Sequence, residues 1–271
     1  MSKIFKLGVI GCPIDHSLSP FIHSRFARQE GINLDYQAYK VDDLSFNGFI
    51  DDFFINPNAK GLNVTLPLKK LAAELNGNIS NEAKHINAVN TIIKLNNRYD
   101  LETTDGIGFM EDLKSKNIDV FNKNILIIGA GAAVESILYK LMQGKPKKIS
   151  VSNRSSDKAQ KLINKYTDDG NIETALDKTQ TYDIVINGSS AGLTGAFNAP
   201  ENLEASSRTV FYDLNYSLDS TPFCAWATDY SPIVFDGIGM LANQAAHSFN
   251  LWFGVFPATK EVLEDIKSLK E

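Results

Sequence analysis

Two glycines, Gly129 and Gly131, stand where an apolar run over 124–128 gives way to a helix-like pattern. This order of residue types predicts a strand, a tight turn and the N-terminus of a helix. Gly129 can adopt the turn conformation, Gly131 leaves room for a phosphate group beside the backbone, and the unpaired N–H groups of the helix attract anions. The candidate phosphate-binding residues are Gly129, Ala130, Gly131, Ala132 and Ala133. An ordinary strand-to-helix turn is the alternative, because a Gly-x-Gly pair alone is common.

A cation follows the next predicted strand, 148–152. The sequence continues Asn153-Arg154-Ser155, and Lys158 comes one turn later. In dinucleotide-binding folds an acidic residue at this position hydrogen-bonds the ribose of NAD, whereas a cation pairs with the 2′-phosphate of NADP. Arg154 can hold a phosphate through two parallel hydrogen bonds, and Ser155 can add a hydroxyl group. We therefore expect NADP, held in part by Asn153, Arg154, Ser155 and Lys158. A solvated surface arginine is the alternative.

The elements that would hold these residues alternate regularly after a helix over 107–116. The predicted strands are 125–128, 148–152, 184–187, 210–213 and 233–235, and helices over 133–142 and 157–166 lie between them. This alternation is typical of a doubly wound parallel sheet, the Rossmann-like fold that binds dinucleotides.

The first hundred residues also alternate between strands and helices, but two strands follow each other within 88–101, which predicts a mixed sheet. Pro20 and Pro67 suit the first turns of two helices, and Ser19 is placed to cap the former.

The whole chain is thus predicted to be an α/β protein of two domains, an N-terminal α/β domain with a mixed sheet and a C-terminal Rossmann-like domain. The helix over 107–116 is a plausible connector between them.

Composition limits the classes of partner. A formal net charge of -5 and a pI near 5.5 argue against nucleic-acid binding, which needs clustered Lys and Arg.

The sequence has no run of about twenty apolar residues, so we expect no membrane span and a cytoplasmic location. Cys12 and Cys224 lie far apart and are expected as packing residues rather than as a disulfide. The histidines lack metal-ligand spacing, so no catalytic metal is expected.

Several stretches, in order along the whole chain, resemble the shikimate dehydrogenase family. They are Val9-Ile10-Gly11, Ser17-Leu18-Ser19-Pro20, Gly61-Leu62-Asn63-Val64-Thr65-Leu66-Pro67-Leu68-Lys69, Asn87-Ala88-Val89-Asn90-Thr91, Thr104-Asp105-Gly106-Ile107-Gly108-Phe109, Asn153-Arg154-Ser155, and Gly237-Ile238-Gly239-Met240-Leu241 with Gln244-Ala245-Ala246-His247. Each stretch is modest alone, but their joint occurrence by accident is improbable.

The resemblance implies the reversible, NADPH-dependent reduction of 3-dehydroshikimate to shikimate, a step toward the aromatic amino acids. It also implies an N-terminal α/β substrate-binding and catalytic domain over 1–104, completed by C-terminal helices within 239–271, which faces an NADP-binding domain over 105–238 across a cleft. It implies Lys69 and Asp105 as the catalytic residues, and it places Gly237 and Met240 at the cofactor, with Met240 near the nicotinamide ring. The substrate-binding residues that it implies are Ser17, Ser19, Asn63, Thr65, Asn90, Tyr216 and Gln244. Of these, Ser17, Ser19 and Tyr216 would meet the carboxylate.

The implied role of Lys69 makes chemical sense. A hydride that arrives at a ketone leaves negative charge on the oxygen, and a positioned ammonium group neutralises that charge by giving up its proton. Asp105 would orient the ammonium group. Taken alone, a lysine in Leu-Lys-Lys is a surface charge and an aspartate before an apolar helix is a cap; only the family resemblance favours the catalytic interpretation.

Alternatives remain open from the sequence. A quinate/shikimate dehydrogenase with relaxed cofactor use is similar overall, although Arg154, Ser17 and Ser19 favour the shikimate-specific branch. A catalytically silent homologue that senses a nucleotide or another ligand would have no reason to keep Lys69 and Asp105. Another two-domain NADP enzyme, such as a folate-pathway dehydrogenase, lacks support from the paired serines. The sequence fits a monomer or a homodimer.

Two residues depart from the family pattern in the glycine-rich turn. The family usually has glycine where Ala132 stands and a small residue where Val134 stands. The extra methyl groups are expected to crowd the pyrophosphate and the helix–strand contact, which predicts a shifted helix start and weakened NADP binding.

Overall fold

A computed structural model describes residues 3–96, 98–166, 171–175, 180–189, 197–200 and 203–269. Its internal contacts divide the chain into two compact units. Unit 1 comprises Met1–Gly108 and Leu241–Ile266, and unit 2 comprises Phe109–Met240 and Lys267–Glu271.

The strands and helices are numbered here in chain order. The strands are β1 (Phe5–Gly11), β2 (Leu34–Lys40), β3 (Gly61–Val64), β4 (Gly77–Ile79), β5 (Thr91–Leu95), β6 (Arg98–Glu102), β7 (Asn124–Ile128), β8 (Lys148–Ser152), β9 (Ile172–Thr174), β10 (Gln180–Thr181), β11 (Ile184–Asn187), β12 (Leu203–Glu204), β13 (Val210–Asp213) and β14 (Val234–Phe235). The helices are α1 (Ser19–Gln29), α2 (Phe46–Ile55), α3 (Lys69–Ala73), α4 (Asn81–Ile86), α5 (Asp105–Ser115), α6 (Ala132–Gln143), α7 (Ser156–Asn164), α8 (Pro222–Ala227), α9 (Ile238–Phe253) and α10 (Thr259–Ser268).

Unit 1 is built on a mixed sheet with the strand order β2-β1-β3-β5-β6-β4. β1 pairs in parallel with both β2 and β3, whereas β5 runs antiparallel to β3 and β6. All four residues of β3 are buried, because helices cover both faces of the sheet there. On one face Trp252 of α9 donates from Nε1 to the carbonyl oxygen of Ile92, 3.0 Å away. This contact fixes α9 on the middle of the sheet.

Unit 2 is built on a sheet with the order β9-β8-β7-β11-β13-β14, in which each neighbouring pair is parallel. The strand order reverses between β7 and β11. In open α/β sheets, ligands bind beyond the carboxyl ends of the strands at such a reversal. The apolar strands β7 and β11 are buried, and α6 and α7 pack on the sheet through Ile137, Leu141 and Leu162. Two short strands, β10 and β12, pair separately.

The α/β class, the mixed sheet and the doubly wound sheet that the sequence predicts are confirmed. β8, β11 and β13 have the predicted bounds. Two details of capping are wrong. Leu18 holds the cap position of α1, so Ser19 is its first residue, and α3 begins at Lys69, so Pro67 lies in the turn before the helix. That proline follows a cis peptide bond.

Val134 is larger than the small residue that usually allows close packing of helix and strand at this position. The structure shows where its side chain fits. Val134 is fully buried in α6. A Cβ atom added to Gly188, just after β11, would collide with Cγ2 of Val134. In the usual pattern a small residue at position 134 allows the helix and the strand to pack closely. Here Gly188, which has no side chain, leaves the room that Val134 needs. α6 begins at Ala132, one residue before the predicted start.

This complementary pair yields a stability prediction. Gly188→Ala should lower the free energy of unfolding by about 1–3 kcal/mol, because it overfills a packed contact. Adding Val134→Ala should recover part of that loss, with a coupling energy of about 0.5–3 kcal/mol in a double-mutant cycle measured by urea unfolding. Gly131→Ala is the control, since an added Cβ there meets none of the described residues within 4 Å. Additive effects of the two substitutions would contradict the packing argument.

Candidate active site

Lys69 and Asp105 form an ion pair in unit 1. Nζ of Lys69 lies 2.7 Å from Oδ2 of Asp105, and only 14% and 9% of the two side chains are exposed. Each residue is the first of its helix, α3 and α5 respectively. An acidic residue in the first turn of a helix is favoured by the helix dipole. The carbonyl oxygen of Lys69 also accepts from the backbone N–H of Val89, which ties α3 to the segment before β5.

Asn90 links this pair to the rest of the site. Its Nδ2 donates to Oδ1 of Asp105, 3.0 Å away, and lies 3.2 Å from Oε1 of Gln244. Its Oδ1 accepts from the backbone N–H of Thr104 at 2.9 Å. Because a backbone N–H can only donate, this contact fixes which end of the Asn90 amide is the oxygen. The amide nitrogen must then face Asp105.

Asn63 occupies the centre of the buried network. Its Oδ1 accepts from the hydroxyl of Tyr36 at 2.7 Å and from Nε2 of His23 at 3.1 Å. Its Nδ2 lies within 3.2 Å of the carbonyl oxygen of Asn90 and of two hydroxyl groups. Both ends of this amide are therefore occupied by protein groups. The geometry supports a role in holding the site together, and a contact with the substrate ring stays a prediction.

His23 is buried among aromatic rings beside Asn63. Its ring stacks on Tyr36 with the centroids 4.3 Å apart, and it also lies near Phe26 and Trp252. Burial lowers the pKa of His23 from 6.5 to about 3, although the hydrogen bond to Asn63 opposes the shift. The imidazole is therefore neutral at ordinary pH. Burial also raises the pKa of Tyr36 well above its usual range.

Ser17, Ser19 and Thr65 lie at the carboxyl ends of β1 and β3. The backbone N–H of Ser19 donates to Oγ of Ser17 at 3.3 Å, and the backbone N–H of Thr65 donates to the carbonyl oxygen of Ile10 at 2.9 Å. Ser19 is the first residue of α1, where a helix presents N–H groups that favour an anion. This is suitable chemistry for a carboxylate.

Gln244 faces Asn90 from α9. Its Nε2 donates to the carbonyl oxygen of Leu241 at 3.1 Å, so its Oε1 is turned toward Asn90. A Cβ atom on Gly108 would lie 2.6 Å from the backbone nitrogen of Gln244. The glycine thus lets α5 approach α9 closely. It brings the helix that carries Asp105 next to the one that carries Gln244.

The residues of the predicted phosphate cradle lie at the strand reversal of unit 2. Gly129 has φ of 109°, which side chains rarely adopt, and a Cβ atom there would lie 2.9 Å from the backbone of Ser189, beyond β11. Among the described residues, nothing lies within 4 Å of a Cβ atom added to Gly131, just before α6. No side chain caps the N-terminus of α6 at Gly131. The residues therefore fit a pyrophosphate.

The residues after β8 form a turn that suits a phosphate monoester. Nδ2 of Asn153 donates to the carbonyl oxygen of Ser155 at 2.8 Å, which shapes the turn. Arg154, Ser155 and Lys158 are exposed. Within the described part of the chain, Arg154 forms no salt bridge. These residues fit the phosphate monoester that the sequence predicts here.

Three further predicted residues lie in unit 2. The backbone N–H of Gly237 donates to the carbonyl oxygen of Asn215 at 2.9 Å, Tyr216 is half-buried, and Met240 packs against the core of the unit. Hydrogen bonds thus join five of the predicted residues of unit 1, namely Asn63, Lys69, Asn90, Asp105 and Gln244. Tyr216 and the predicted cofactor residues lie in unit 2.

The sequence motifs miss part of the network. His23, Tyr36 and Ser248 were not among the predicted site residues, yet each hydrogen-bonds Asn63. One feature of the sequence points to Ser248, which follows Gln244 by four residues and so lies on the same face of a helix. No feature of the sequence points to His23 or Tyr36, because only the tertiary fold brings α1 and β2 to Asn63.

No group of three His, Cys, Asp or Glu side chains in the described ranges is arranged to hold a metal ion. Nor does any described helix have both the length and the apolar character needed to cross a bilayer.

Three family models match the chain. They describe the shikimate dehydrogenase substrate binding domain, over residues 9–92, shikimate / quinate 5-dehydrogenase, over 112–214, and the shikimate 5′-dehydrogenase C-terminal domain, over 237–265. A shikimate dehydrogenase (NADP(+)) from Legionella pneumophila (strain Lens) is 39% identical over 264 residues, which cover 97% of this chain and 98% of the relative. The chain belongs to the shikimate dehydrogenase family.

A further relative and a solved structure are also similar to the chain. One from Laribacter hongkongensis, also named NADP(+)-dependent, is 40% identical over 266 residues, or 96% of each chain. The crystal structure of shikimate 5-dehydrogenase from Thermus thermophilus, in complex with NADP(H) and shikimate, is 27% identical with a TM-score of 0.87. It covers 98% of this chain and 100% of that one. The family predicted from the motifs is confirmed.

The buried His23 predicts an acid-dependent loss of stability. Between pH 6.5 and about 3 the unfolded chain binds a proton at His23 that the folded chain does not. The free energy of unfolding should therefore fall as the pH is lowered through this window, by about 1.4 kcal/mol per pH unit from this group. We expect His23→Gln to flatten the pH dependence, measured by urea unfolding between pH 7 and pH 5 or so.

His85→Gln is the control for this measurement. His85 is exposed on α4, so its variant should keep the wild-type pH dependence. Equal slopes for the wild type and the His23 variant would show that His23 is not buried in its neutral form.

Proposed function

We propose that the chain catalyses the reversible, NADPH-dependent reduction of 3-dehydroshikimate to shikimate, with Lys69 as the general acid. As a member of its family, the chain is an oxidoreductase that acts on a CH–OH group, with NADP as its cofactor. The observation that carries the finer proposal is the ion pair of Lys69 and Asp105, held in place by Asn90.

The side chains of unit 1 supply what a small hydroxylated carboxylate needs. The N-terminus of α1, with Ser17 and Ser19, offers donors for the carboxylate. Nε2 of Gln244 has a second proton beyond its bond to the carbonyl oxygen of Leu241, and Lys69 has two N–H groups beyond its bond to Asp105. These donors, with Thr65, would orient the ring. Tyr216 of unit 2 is the further candidate for the carboxylate.

Lys69 performs the proton transfer. When bound, NADPH supplies the hydride that adds to the carbonyl carbon. Nζ of Lys69 gives a proton to the carbonyl oxygen as negative charge develops there, which completes the alcohol. Asp105 keeps the ammonium group in one orientation through its Oδ2. In the oxidation direction the neutral amine takes the hydroxyl proton back.

The cofactor would be held by unit 2. The backbone from Gly129 to Ala133 would cradle the pyrophosphate, and Asn153, Arg154, Ser155 and Lys158 would meet the 2′-phosphate. Gly237 and Met240 would border the nicotinamide. Weaker NADP binding caused by Ala132 and Val134 stays a prediction.

Two alternatives differ from this proposal in specific residues. A quinate/shikimate dehydrogenase with relaxed cofactor use is less favoured, because Arg154, which follows β8, is a cation and not a carboxylate. A silent ligand-sensing homologue is less favoured, because it would not need the paired Lys69 and Asp105. The proposal places the enzyme in the cytoplasm as a monomer or homodimer that binds no nucleic acid.

Lys69→Ala tests the mechanism. The variant should lose about 10²- to 10⁴-fold in kcat for shikimate oxidation, because general acid–base catalysis is removed, while KM changes little. Lys70→Ala is the matched control, since this neighbouring lysine is exposed and should leave both constants near the wild-type values. The measurement is steady-state NADPH formation, with circular dichroism to confirm folding. Near-normal turnover of a folded Lys69 variant would end the assignment.

A further inference from the structure

Ser248 is fully buried on α9 and joins several parts of the candidate active site. Its Oγ lies 2.7 Å from Oγ1 of Thr91, 3.0 Å from Nδ2 of Asn63 and 3.2 Å from Oγ1 of Thr104. The carbonyl oxygen of Gln244, one helical turn earlier, lies 3.1 Å away. A single hydroxyl group thus meets α9, the ends of β3 and β5, and the segment before α5.

The contacts around Ser248 connect Asn63 to Asn90. A hydroxyl group has one proton and two lone pairs. Nδ2 of Asn63 can only donate, so Ser248 accepts there. The proton of Ser248 is within reach of two acceptors, the carbonyl oxygen of Gln244 at 3.1 Å and Oγ1 of Thr91 at 2.7 Å, and Oγ1 of Thr91 lies 2.8 Å from Oδ1 of Asn90. Contacts of hydrogen-bonding length therefore run without a break from Asn63 through Ser248 and Thr91 to Asn90.

These contacts matter for the amide of Asn90. The torsion that turns an Asn amide is soft, so its orientation depends on its hydrogen bonds. Oδ1 of Asn90 receives the N–H of Thr104 on one side and the hydroxyl of Thr91 on the other. Two donors on one oxygen fix the amide plane. The nitrogen at the other end then points at Oδ1 of Asp105.

We propose that Ser248 is a positioning residue for the reaction. Its hydroxyl aligns Thr91 and, through it, the Asn90 amide that holds Asp105 against Lys69. Without this hydroxyl, Asn63 loses an acceptor and Thr91 loses its partner at 2.7 Å, so the hydroxyl of Thr91 is no longer held beside Asn90. This inference rests on the proposed function, because it names what orients the proton-donating pair of that same site.

Ser248→Ala in the full chain is the first test. Its kcat for shikimate oxidation should fall by about 10- to 100-fold, as expected when a catalytic group is slightly misplaced, with a smaller change in KM. Ser231→Ala is the matched control, because Ser231 is also a buried serine that hydrogen-bonds the backbone, at the carbonyl oxygen of Ser207. The control should keep kcat within about twofold of the wild-type value.

A double-mutant cycle separates positioning from a general loss of structure. In an Asp105→Asn background, Ser248→Ala should lower kcat by no more than about twofold, because the route through Asp105 is already broken. An unchanged kcat in the single variant, or the same fold-loss in both backgrounds, would overturn the proposal. If Ser248→Ala does not fold, Thr91→Val removes the next hydroxyl with little change of shape and enters the same cycle. A wild-type chain without activity would instead reject the proposed function.

Discussion

The backbone N–H of Thr104 donates to the side-chain oxygen of Asn90, and much of the site depends on that bond. It identifies the amide nitrogen of Asn90 without ambiguity, and that nitrogen faces Asp105. Asp105 in turn holds Lys69. The two partners of the bond lie just outside β5 and β6, which pair antiparallel from Thr91↔Glu102 onward. The ammonium group of Lys69 is thus placed by the register of a β-sheet, which is far more rigid than a surface loop.

The polar groups around this bond cost free energy to bury, and the hydrogen bonds that pair them offset this cost. Inside a protein an unpaired amide or hydroxyl group costs about 1–3 kcal/mol, so such groups must be matched or removed. Asn63 is matched at both ends, and its partners include His23, which burial keeps neutral. The network therefore adds no net charge beside the ion pair of Lys69 and Asp105. Its hydrogen bonds specify orientation more than they add stability.

Sequence reasoning reached the fold class and the family, but it left parts of the site undefined. Apolar runs such as 184–187 predict buried strands well, because burial on both faces leaves few alternatives. Ser19 and Pro67 show where local rules fail, since α1 begins one residue earlier and α3 begins two residues later than capping preferences suggest. β4 and α4 were missed because they are short, although Ser80 caps α4 as the rules allow. The pairing of Lys69 with Asp105 came only from family resemblance.

The central claim is that this chain transfers hydride between shikimate and NADP by means of the site that Asn90 organises. The most direct measurement is the absorbance at the NADPH band after the full chain is mixed with shikimate and NADP⁺. The account predicts a rise that requires both compounds and is faster than the rise with quinate or with NAD⁺. No rise from a folded, monodisperse sample, or a preference for NAD⁺ or quinate, would contradict it.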